Sequence, residues 1–452
     1  MRERLTLVCR HLAVGIGIAL AAPAAAAAAA DPLLSQQWAL ADPAAIGAQE
    51  AWTQSSGAGI LVAVLDSGIQ LDHPDLAANI WTNPGEVAGN GRDDDVNGIV
   101  DDIHGANMFS LSADVDDDNG HGTHVAGIIA ARRGNGIGGS GLAPGAQILP
   151  VKVLNSSMTG TTDTLARGIR YAVDEGAKIL NVSVNSDGVT DSLTSAVRYA
   201  GEHGAIVVAS AGNNSRNIDL LGSYPASLTD LAVFSVAAGT SAGGLWKGSN
   251  TGLLSVDLAA PGERIHSTLN VSSYQSRTGT SAAAPFVSAS LALLSAVRTD
   301  LPMSALRDAI VDTTRRTNIL ATLLGGGRLD VGAAMHRVLA GLPWNSTGLV
   351  DETAGHGLSA ATAGPTLRLR TKSSARAGAR VSLRWYASGT DSVTRWRVSL
   401  DGRVVATVRA RISRVSRRIR RAGLHRWRVV GLNASKAKVV VARRAFRVRS
   451  RR

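Results

Sequence analysis

The chain has 452 residues, of which 45% are apolar, so a single small module and a wholly disordered chain are both excluded. Its one cysteine, Cys9, excludes a disulfide framework and a thiolate zinc site. The net charge of +12 is the sum of two regions of opposite charge. Residues 1–365 have 21 Lys and Arg against 33 Asp and Glu, whereas residues 366–452 have 26 Lys and Arg against 2 Asp and Glu.

The first thirty residues have the pattern of a secretory signal peptide. Three arginines precede an apolar run, Leu12–Leu20, and an alanine tract then offers A-x-A cleavage points. We expect cleavage between Ala30 and Asp31 and a secreted, extracellular protein. An uncleaved anchor is the alternative, although the apolar run is short for a span, and we expect no membrane span after signal cleavage.

From about residue 59 to residue 338, short apolar runs alternate with helical patterns. Continuous apolar runs indicate strands buried on both faces, and their alternation with helices indicates a parallel sheet. We therefore predict a doubly wound α/β domain, residues 31–340, with helices on both faces and its polar chemistry at the carboxyl ends of the strands. The predicted strands are Ile60–Leu65, Ile148–Val153, Ile179–Val184, Ala205–Ala209 and Ala232–Ala237, and the predicted helices are His124–Ala131, Leu165–Asp174, Leu193–Gly201 and Ala283–Val297.

The end of the chain has a different pattern. Residues 341–365, rich in Gly, Ala, Ser and Thr, are typical of a linker. In residues 366–452, apolar and polar residues alternate, and Asp401-Gly402 indicates a hairpin turn. We predict a small C-terminal antiparallel β-sandwich domain with arginines on its solvent face.

The basic domain carries a net charge of +24. On an exported protein, such a field favours anionic cell-surface polymers as partners and a cell-wall association. Two alternatives are docking onto the acidic domain and a compositional bias towards arginine. Because no aromatic nucleic-acid motif accompanies the arginines, sequence-specific nucleic-acid recognition is not expected.

Three polar clusters interrupt the predicted α/β domain. Asp66 follows a buried strand, His121 lies in a glycine-rich segment before a helix, and Ser281 opens a long apolar helix. Taken singly, they are typical of a strand end, a turn and a helix cap. Taken together on one sheet, they are the acid, base and nucleophile that acyl transfer requires.

The segments around these residues resemble a known family. VAVLDSGI, NGHGTHVAG and GTSAAAPF are similar to the signature segments of subtilisin-like serine proteases, the subtilases (peptidase family S8), and the order Asp, His, Ser is that of subtilisin. The resemblance implies a serine endopeptidase with Asp66, His121 and Ser281 as its triad. It also implies that Asn213 donates to the oxyanion beside the Ser281 N–H, and that His124 has a structural role.

The same resemblance, which covers about residues 31–340, implies that Ser183, Val184, Asn185 and Gly212 bind substrate. The family often has Ser-Leu-Gly or Ser-Trp-Gly where this chain has Ser183-Val184-Asn185. Pairing with an extended peptide uses the backbone and does not depend on these side chains. Asn185 in place of glycine is expected to narrow the adjoining subsite.

By resemblance to the family, Asp31, Asp75 and Asn135 correspond to positions that bind a stabilising calcium ion. Their oxygen atoms are the ligands that calcium prefers.

A second candidate calcium site comes from the residues themselves. Asp93, Asp95 and Asn97 lie in an acidic loop whose D-x-D-x-N-G core is similar to the first half of an EF-hand loop. The acid expected at the twelfth position is His104, so a true EF-hand is rejected. A solvated acidic loop is the alternative.

The sequence therefore predicts a secreted serine endopeptidase that hydrolyses protein or peptide substrates through an acyl-enzyme. Calcium is expected as a structural ion, and no cofactor is expected in the chemistry. The alternatives are an acyl-transferring peptide ligase on the same scaffold and an inactive surface-binding protein.

Overall fold

The computed structural model describes residues 30–341, apart from 229–231, 254, 317–319, 321 and 324–326, and a set of strands between residues 366 and 449. The predicted signal peptide and almost all of the predicted linker lie outside the described residues.

The helices alternate with strands along residues 30–341, as predicted. The helices are α1 (Trp38–Ala41), α2 (Pro43–Ile46), α3 (Ala48–Trp52), α4 (His121–Ala130), α5 (Thr162–Asp174), α6 (Asp191–Glu202), α7 (Ile218–Leu221), α8 (Thr280–Val297), α9 (Met303–Asp312) and α10 (Val331–Leu339), with 3-10 turns at Leu34–Gln36 and Ala77–Asn79. The strands of this part are β1 (Leu61–Asp66), β2 (Ala106–Asn107), β3 (Gln147–Lys152), β4 (Ile179–Val182), β5 (Ile206–Ser210), β6 (Val233–Gly239), β7 (Leu258–Pro261), β8 (Ile265–Leu269), β9 (Ser273–Arg277), β10 (Arg315–Arg316) and β11 (Gly327–Arg328).

Nine of these strands form one sheet in the order β10-β11-β7-β6-β5-β4-β1-β3-β2. All pairs in it are parallel except β10 with β11. The first strand lies inside the sheet, between β4 and β3, so the strand order reverses there. The carboxyl end of β1 is therefore the crevice in which open α/β sheets place their ligands. The two-stranded hairpin β8–β9 stands apart from this sheet.

The sheet has an apolar layer on each face. Alternate residues of β1 belong to different layers: Val62 and Val64 pack with α4 and α8, whereas Ala63 and Leu65 pack with α5 and α6. This period of two, with apolar residues on both sides, is what the continuous apolar run predicts.

Several helices begin earlier than predicted. The Thr161 and Thr190 hydroxyls accept N–H bonds from Thr164 at 3.0 Å and Leu193 at 3.3 Å, so α5 and α6 start at their caps rather than at their first large apolar residue. The helix predicted from His124 begins at His121, because Gly120 at φ 88° is its N-cap. His121 is thus a helical residue.

Helix α8 is the central helix of the domain. Every residue from Thr280 to Ser295 is buried except Ser281. By length and composition α8 is apolar enough to cross a membrane, but 83% of it is buried inside the fold. Its apolar character is accounted for by the contacts with β4–β7 and α4.

The described strands of the basic region form two further sheets. They are β12 (Thr366–Arg370), β13 (Ser374–Arg376), β14 (Arg380–Ser388), β15 (Arg395–Leu400), β16 (Arg403–Arg409), β17 (Arg414–Arg418), β18 (Gly423–Leu432) and β19 (Lys438–Arg449). The orders are β12-β14-β17 and β13-β19-β18-β15-β16. The pairing is antiparallel, as predicted, except that β13 lies parallel to β19. In β15, Trp396 and Val398 are buried while Arg395 and Arg397 are exposed, which is the predicted alternation.

Candidate active site

Asp66 is the last residue of β1 and is fully buried. Its Oδ1 accepts hydrogen bonds from the Ser67 backbone N–H at 2.8 Å and from His121 Nδ1 at 2.6 Å. Its Oδ2 has no partner among the described residues. Because burying a carboxylate is costly unless it is paired, the imidazole is a required neighbour of this strand end.

His121 reaches Asp66 because α4 begins directly against the end of β1. A Cβ atom on the next residue, Gly122, would lie 2.0 Å from Gly68 O and 3.1 Å from Asp66 Cβ. No side chain fits there, so the glycine permits the contact between helix and strand.

The pKa of His121 is raised above its ordinary value. Burial lowers this pKa, but the charge of Asp66 and the hydrogen bond to it raise the pKa by more than burial lowers it. The charge of Asp117 also raises the pKa of His121, and the charge of Arg277 lowers it. The site therefore stabilises the imidazolium, which is the form a general base takes while it holds the proton of a nucleophile.

Ser281 is the second residue of α8, and it is half-buried at the start of this otherwise buried helix. The Ser183 hydroxyl, just beyond β4, donates to the Ser281 carbonyl at 2.9 Å. Since β4 neighbours β1 in the sheet and α4 packs against α8, Ser281, His121 and Asp66 lie at one end of the domain.

The Ser281 hydroxyl and His121 Nε2 are not hydrogen-bonded to each other within the described part of the chain. Such bonds are often long in a resting site and tighten with substrate. The structure thus places Asp66 and His121 in contact and Ser281 on the adjoining helix end.

Thr280 fixes the amide of Asn213. Its backbone N–H and its hydroxyl each donate to Asn213 Oδ1 at 2.9 Å, and the hydroxyl accepts from Gly212 N at 3.0 Å. With its oxygen occupied, the amide presents its NH₂ group to other partners. A Cβ atom on Gly279 would lie 3.2 Å from Asn213 Nδ2 and 3.3 Å from Ser281 Oγ, so donor and nucleophile flank the same point. This role of Thr280 was not predicted from the sequence.

His124 lies one helical turn after His121 and is buried. Its Nε2 donates towards the carbonyls of Ile265 and Gln275, each at 3.1 Å. Burial lowers the pKa of His124 to about 3, so the ring is neutral at ordinary pH. It holds α4 against the β8–β9 hairpin, in the structural role expected of it.

The segments expected to bind substrate follow two neighbouring strands of the sheet. Ser183, Val184 and Asn185 follow β4, and Gly212 follows β5. The Asn185 side chain lies against Gly212: its Nδ2 donates to the buried Ser223 hydroxyl at 2.9 Å, and a Cβ atom on Gly212 would lie only 2.4 Å from that Nδ2. No pattern near Ser223 in the sequence predicts this contact.

Asp31, Asp75 and Asn135, predicted as calcium ligands, lie together. Asp31 accepts N–H bonds from Gly134 and Asn135, and Asn135 Nδ2 donates to Asp75 Oδ1 at 2.7 Å. Burial raises the pKa of Asp75 to about 6, and the charge of Asp31 adds to the rise. Two crowded, buried carboxylates fit a hard cation, although the Asn135 oxygen is directed to the N–H of Ile137.

The acidic loop brings further carboxylates to the predicted ligands. Carboxylate oxygens of Glu86, Asp95 and Asp102 lie within 4.8 Å of one another. Of the predicted ligands, Asp95 belongs to this group and Asn97 donates to it. Asp93 accepts the backbone N–H groups of Asn97 and Gly98 instead.

Several carboxyl groups around this acidic cluster have a raised pKa or lack a hydrogen-bond partner. Burial raises the pKa of Asp102, and it raises the pKa of Glu175 to about 7. Asn97 Nδ2 donates to both Asp95 and Asp102, whereas Glu86 Oε2 is buried without a partner in the described part. The cluster fits a cation, and Glu86 and Asp102 are the members that the loop motif did not indicate.

Comparison with known proteins places these features in one family. Residues 57–340 match the model of the Subtilase family, Peptidase_S8. The chain is 35% identical to thermitase from Thermoactinomyces vulgaris over 294 residues, which are 65% of this chain and 94% of thermitase. It is 38% identical to the major intracellular serine protease of Bacillus subtilis over 299 residues, 64% of this chain and 86% of that protein.

Other relatives are longer, and the chain spans about half of them. Subtilisin-like protease 1 of Plasmodium berghei is 30% identical over 332 residues, 69% of this chain but 55% of that protein. Among solved structures, a protease from Pseudoalteromonas arctica PAMC 21717 is 28% identical with a TM-score of 0.58, covering 69% of this chain and 99% of that one. The chain therefore belongs to the subtilase family of serine endopeptidases.

Proposed function

We propose that this protein is a secreted endopeptidase that hydrolyses peptide bonds in proteins or peptides through an acyl-enzyme. In this proposal Asp66, His121 and Ser281 are the triad, and Asn213 is the oxyanion donor. The observation that carries it is the 2.6 Å bond between the buried Asp66 and the imidazole at the start of α4. The Asn213 amide beside the Ser281 hydroxyl supports it.

In the first step, Ser281 Oγ forms a bond to the scissile carbonyl carbon while His121 Nε2 takes its proton. Asp66 holds Nδ1–H and stabilises the imidazolium. The carbonyl oxygen becomes an oxyanion that accepts from Asn213 Nδ2 and the Ser281 N–H. The C–N bond then breaks as His121 gives the proton to the leaving amine. Water, activated by the same imidazole, releases the acid product.

Variants of Ser281 and Asn213 distinguish the nucleophile from the oxyanion donor by the size of the loss in kcat. Replacing Ser281 by Ala is expected to lower kcat on unfolded casein by about 10⁶-fold, since the bond-forming atom is lost. Replacing Asn213 by Ala is expected to cost about 10²–10³-fold, because one of the oxyanion donors is removed. Rates are compared per mole of purified, folded protein.

Equal losses in the two variants would show that the roles are misassigned. Failure of the probe to label Ser281 in the wild type would support the inactive, surface-binding alternative. Mass spectrometry of a peptide digest distinguishes hydrolysis from ligation, because ligation joins the acyl fragment to an added amine.

The Asn185 side chain supports a preference for small side chains at the residue whose carbonyl is attacked. Its amide fills space next to Gly212, in the other segment expected to bind substrate, where a glycine would leave it open. In the adjoining residues, the Ser186 and Tyr224 backbones pair and Asp187 forms an ion pair with Arg216. We propose that Asn185 makes the enzyme prefer Ala or Gly at this position.

A series of chromogenic peptides differing only in Ala, Leu or Phe before the cleaved bond tests this preference. The wild type is expected to favour Ala over Phe by about tenfold or more in kcat/KM, and Asn185→Gly is expected to reverse the order, because a filled pocket discriminates by roughly 10–200-fold. Asn185→Asp keeps the side-chain volume and should keep the preference. An unchanged Ala-to-Phe ratio in Asn185→Gly would contradict the proposal.

We also propose that calcium stabilises the fold at one or both carboxylate groups. Asp31 and Asp75 would hold one ion, and Glu86, Asp95 and Asp102 another. The ion would supply positive charge to acids whose burial raises their pKa. It takes no part in the acyl transfer.

Saturating chelator is expected to lower the Tm of the Ser281→Ala protein, which cannot digest itself, by roughly 5 °C or more. Calcium added back should restore it. Asp75→Asn and Asp102→Asn, each compared with the exposed Asp116→Asn, show which group is responsible. A Tm that is the same with and without chelator would eliminate both sites.

Export and surface retention complete the proposal. The signal-like pattern of residues 1–30 supports export, and the net charge of +24 in residues 366–452 supports retention by anionic polymers. We expect the purified protein to begin at Asp31 and to bind a sulfated support in a way that weakens steeply with salt. A protein that still carries residues 1–30, or retention independent of salt, would contradict these two points.

A further inference from the structure

Asp117 lies four residues before His121, and only 4% of it is exposed. Its Oδ1 accepts from the Ser67 hydroxyl at 2.8 Å, Asn119 N at 3.1 Å and Gly120 N at 2.8 Å. Its Oδ2 accepts from the backbone N–H and the hydroxyl of Thr123, at 2.8 and 2.6 Å. One buried carboxylate thus receives five hydrogen bonds.

These bonds join two pieces of chain that must meet for catalysis. Ser67 directly follows Asp66, and its hydroxyl also accepts Gly122 N at 3.0 Å. Thr123 N and Gly122 N are among the N–H groups that a helix start leaves without partners inside the helix. Asp117 and Ser67 therefore cap α4 from outside, in place of a side chain on the N-cap, Gly120.

Lys152, the last residue of β3, also joins the end of β1 to the loop before α4. Its buried ammonium donates to the carbonyl of Ser67, to the carbonyl of Asp116 at 3.0 Å and to Asp118 Oδ1 at 2.8 Å. The Asp116 carbonyl, the Asp118 side chain and the carbonyl of Ser67, the residue after Asp66, are thus held to the end of β3.

We propose that Asp117 is the positioning residue of the base: its carboxylate fixes the first turn of α4 against the end of β1 and so holds His121 Nδ1 on Asp66. This role rests on the proposed function of His121, and it adds a second buried acid to the machinery. Nothing in the triad motif itself requires it.

The charge of Asp117 also acts on the imidazole. The charged groups that face His121 are Asp66 from β1, Arg277 from β9 and Asp117 from the loop before α4. Burial lowers the pKa of His121, and the two acids raise it while the arginine lowers it. Removing the Asp117 charge therefore lowers this pKa, and the base stays deprotonated, and active, to lower pH.

Three single variants of the full-length protein test the role. Asp117→Asn removes the charge and turns one acceptor into a donor facing N–H groups, so kcat is expected to fall about 10–100-fold with KM within about threefold, because the base is displaced. The acid limb of its pH profile, in which kcat/KM rises as His121 loses its proton, should move to lower pH. Ser67→Ala breaks the link but keeps the charge, so kcat should fall while the acid limb stays in place.

Asp116→Asn is the matched control, because Asp116 is the exposed neighbour and its removal costs the same formal charge. Both kcat and the acid limb should be unchanged in it. An Asp117→Asn protein that matches Asp116→Asn in both would overturn the proposal. An Asp117→Asn protein whose Tm falls while kcat and the acid limb stay unchanged would also overturn it. If Asp117→Asn does not fold, an unchanged kcat in Ser67→Ala overturns it.

A readout without turnover separates this inference from the proposed function. In the Ser281→Ala background, NMR follows the titration of the His121 ring, and its midpoint should be lower when Asp117 is also replaced by Asn. An inactive wild type would defeat the proposed function, whereas an unchanged midpoint would defeat the positioning role.

Discussion

The contact between Asp66 and His121 is the constraint on which the rest of the site depends. A carboxylate at the end of a buried strand needs a partner, and the partner here is the first residue of a helix that starts where the strand stops. That approach leaves no room for a Cβ at residue 122. The helix start, left without a capping side chain of its own, is completed by groups from the neighbouring loop and strand end.

The sheet topology explains why such distant residues meet. Because β1 lies between β4 and β3, its carboxyl end is flanked by the segment after β4 and, one strand further, by the segment after β5. Ser183 and Asn213 come from these segments, and each is hydrogen-bonded to the first turn of α8. The nucleophile is therefore located by the same parallel sheet that carries its acid.

The parts that were predictable are those written in short, local patterns. Continuous apolar runs gave the central strands, and the motif strings located Asp66, His121 and Ser281. Thr280, Ser223 and Asp117 escaped prediction, because their partners come from residues that are remote along the chain or depend on how a loop turns. The acidic loop shows the same limit: its spacing pointed to Asp93, but the fold gathers Glu86 and Asp102 around Asp95. Short strands such as β10 and β11 carry too few residues to show a period.

Helix α8 places the reactive hydroxyl on the least mobile kind of scaffold, since fifteen of its residues are buried. The acidic loop and the segment that holds Phe109 and Leu111 are, by contrast, on the surface. Self-digestion would begin at such exposed segments, while the packing around α8 would persist after a first cut. A preparation of this protease is thus expected to contain nicked molecules that remain catalytically competent, so chain integrity on a gel and activity in solution are separate measures of its quality.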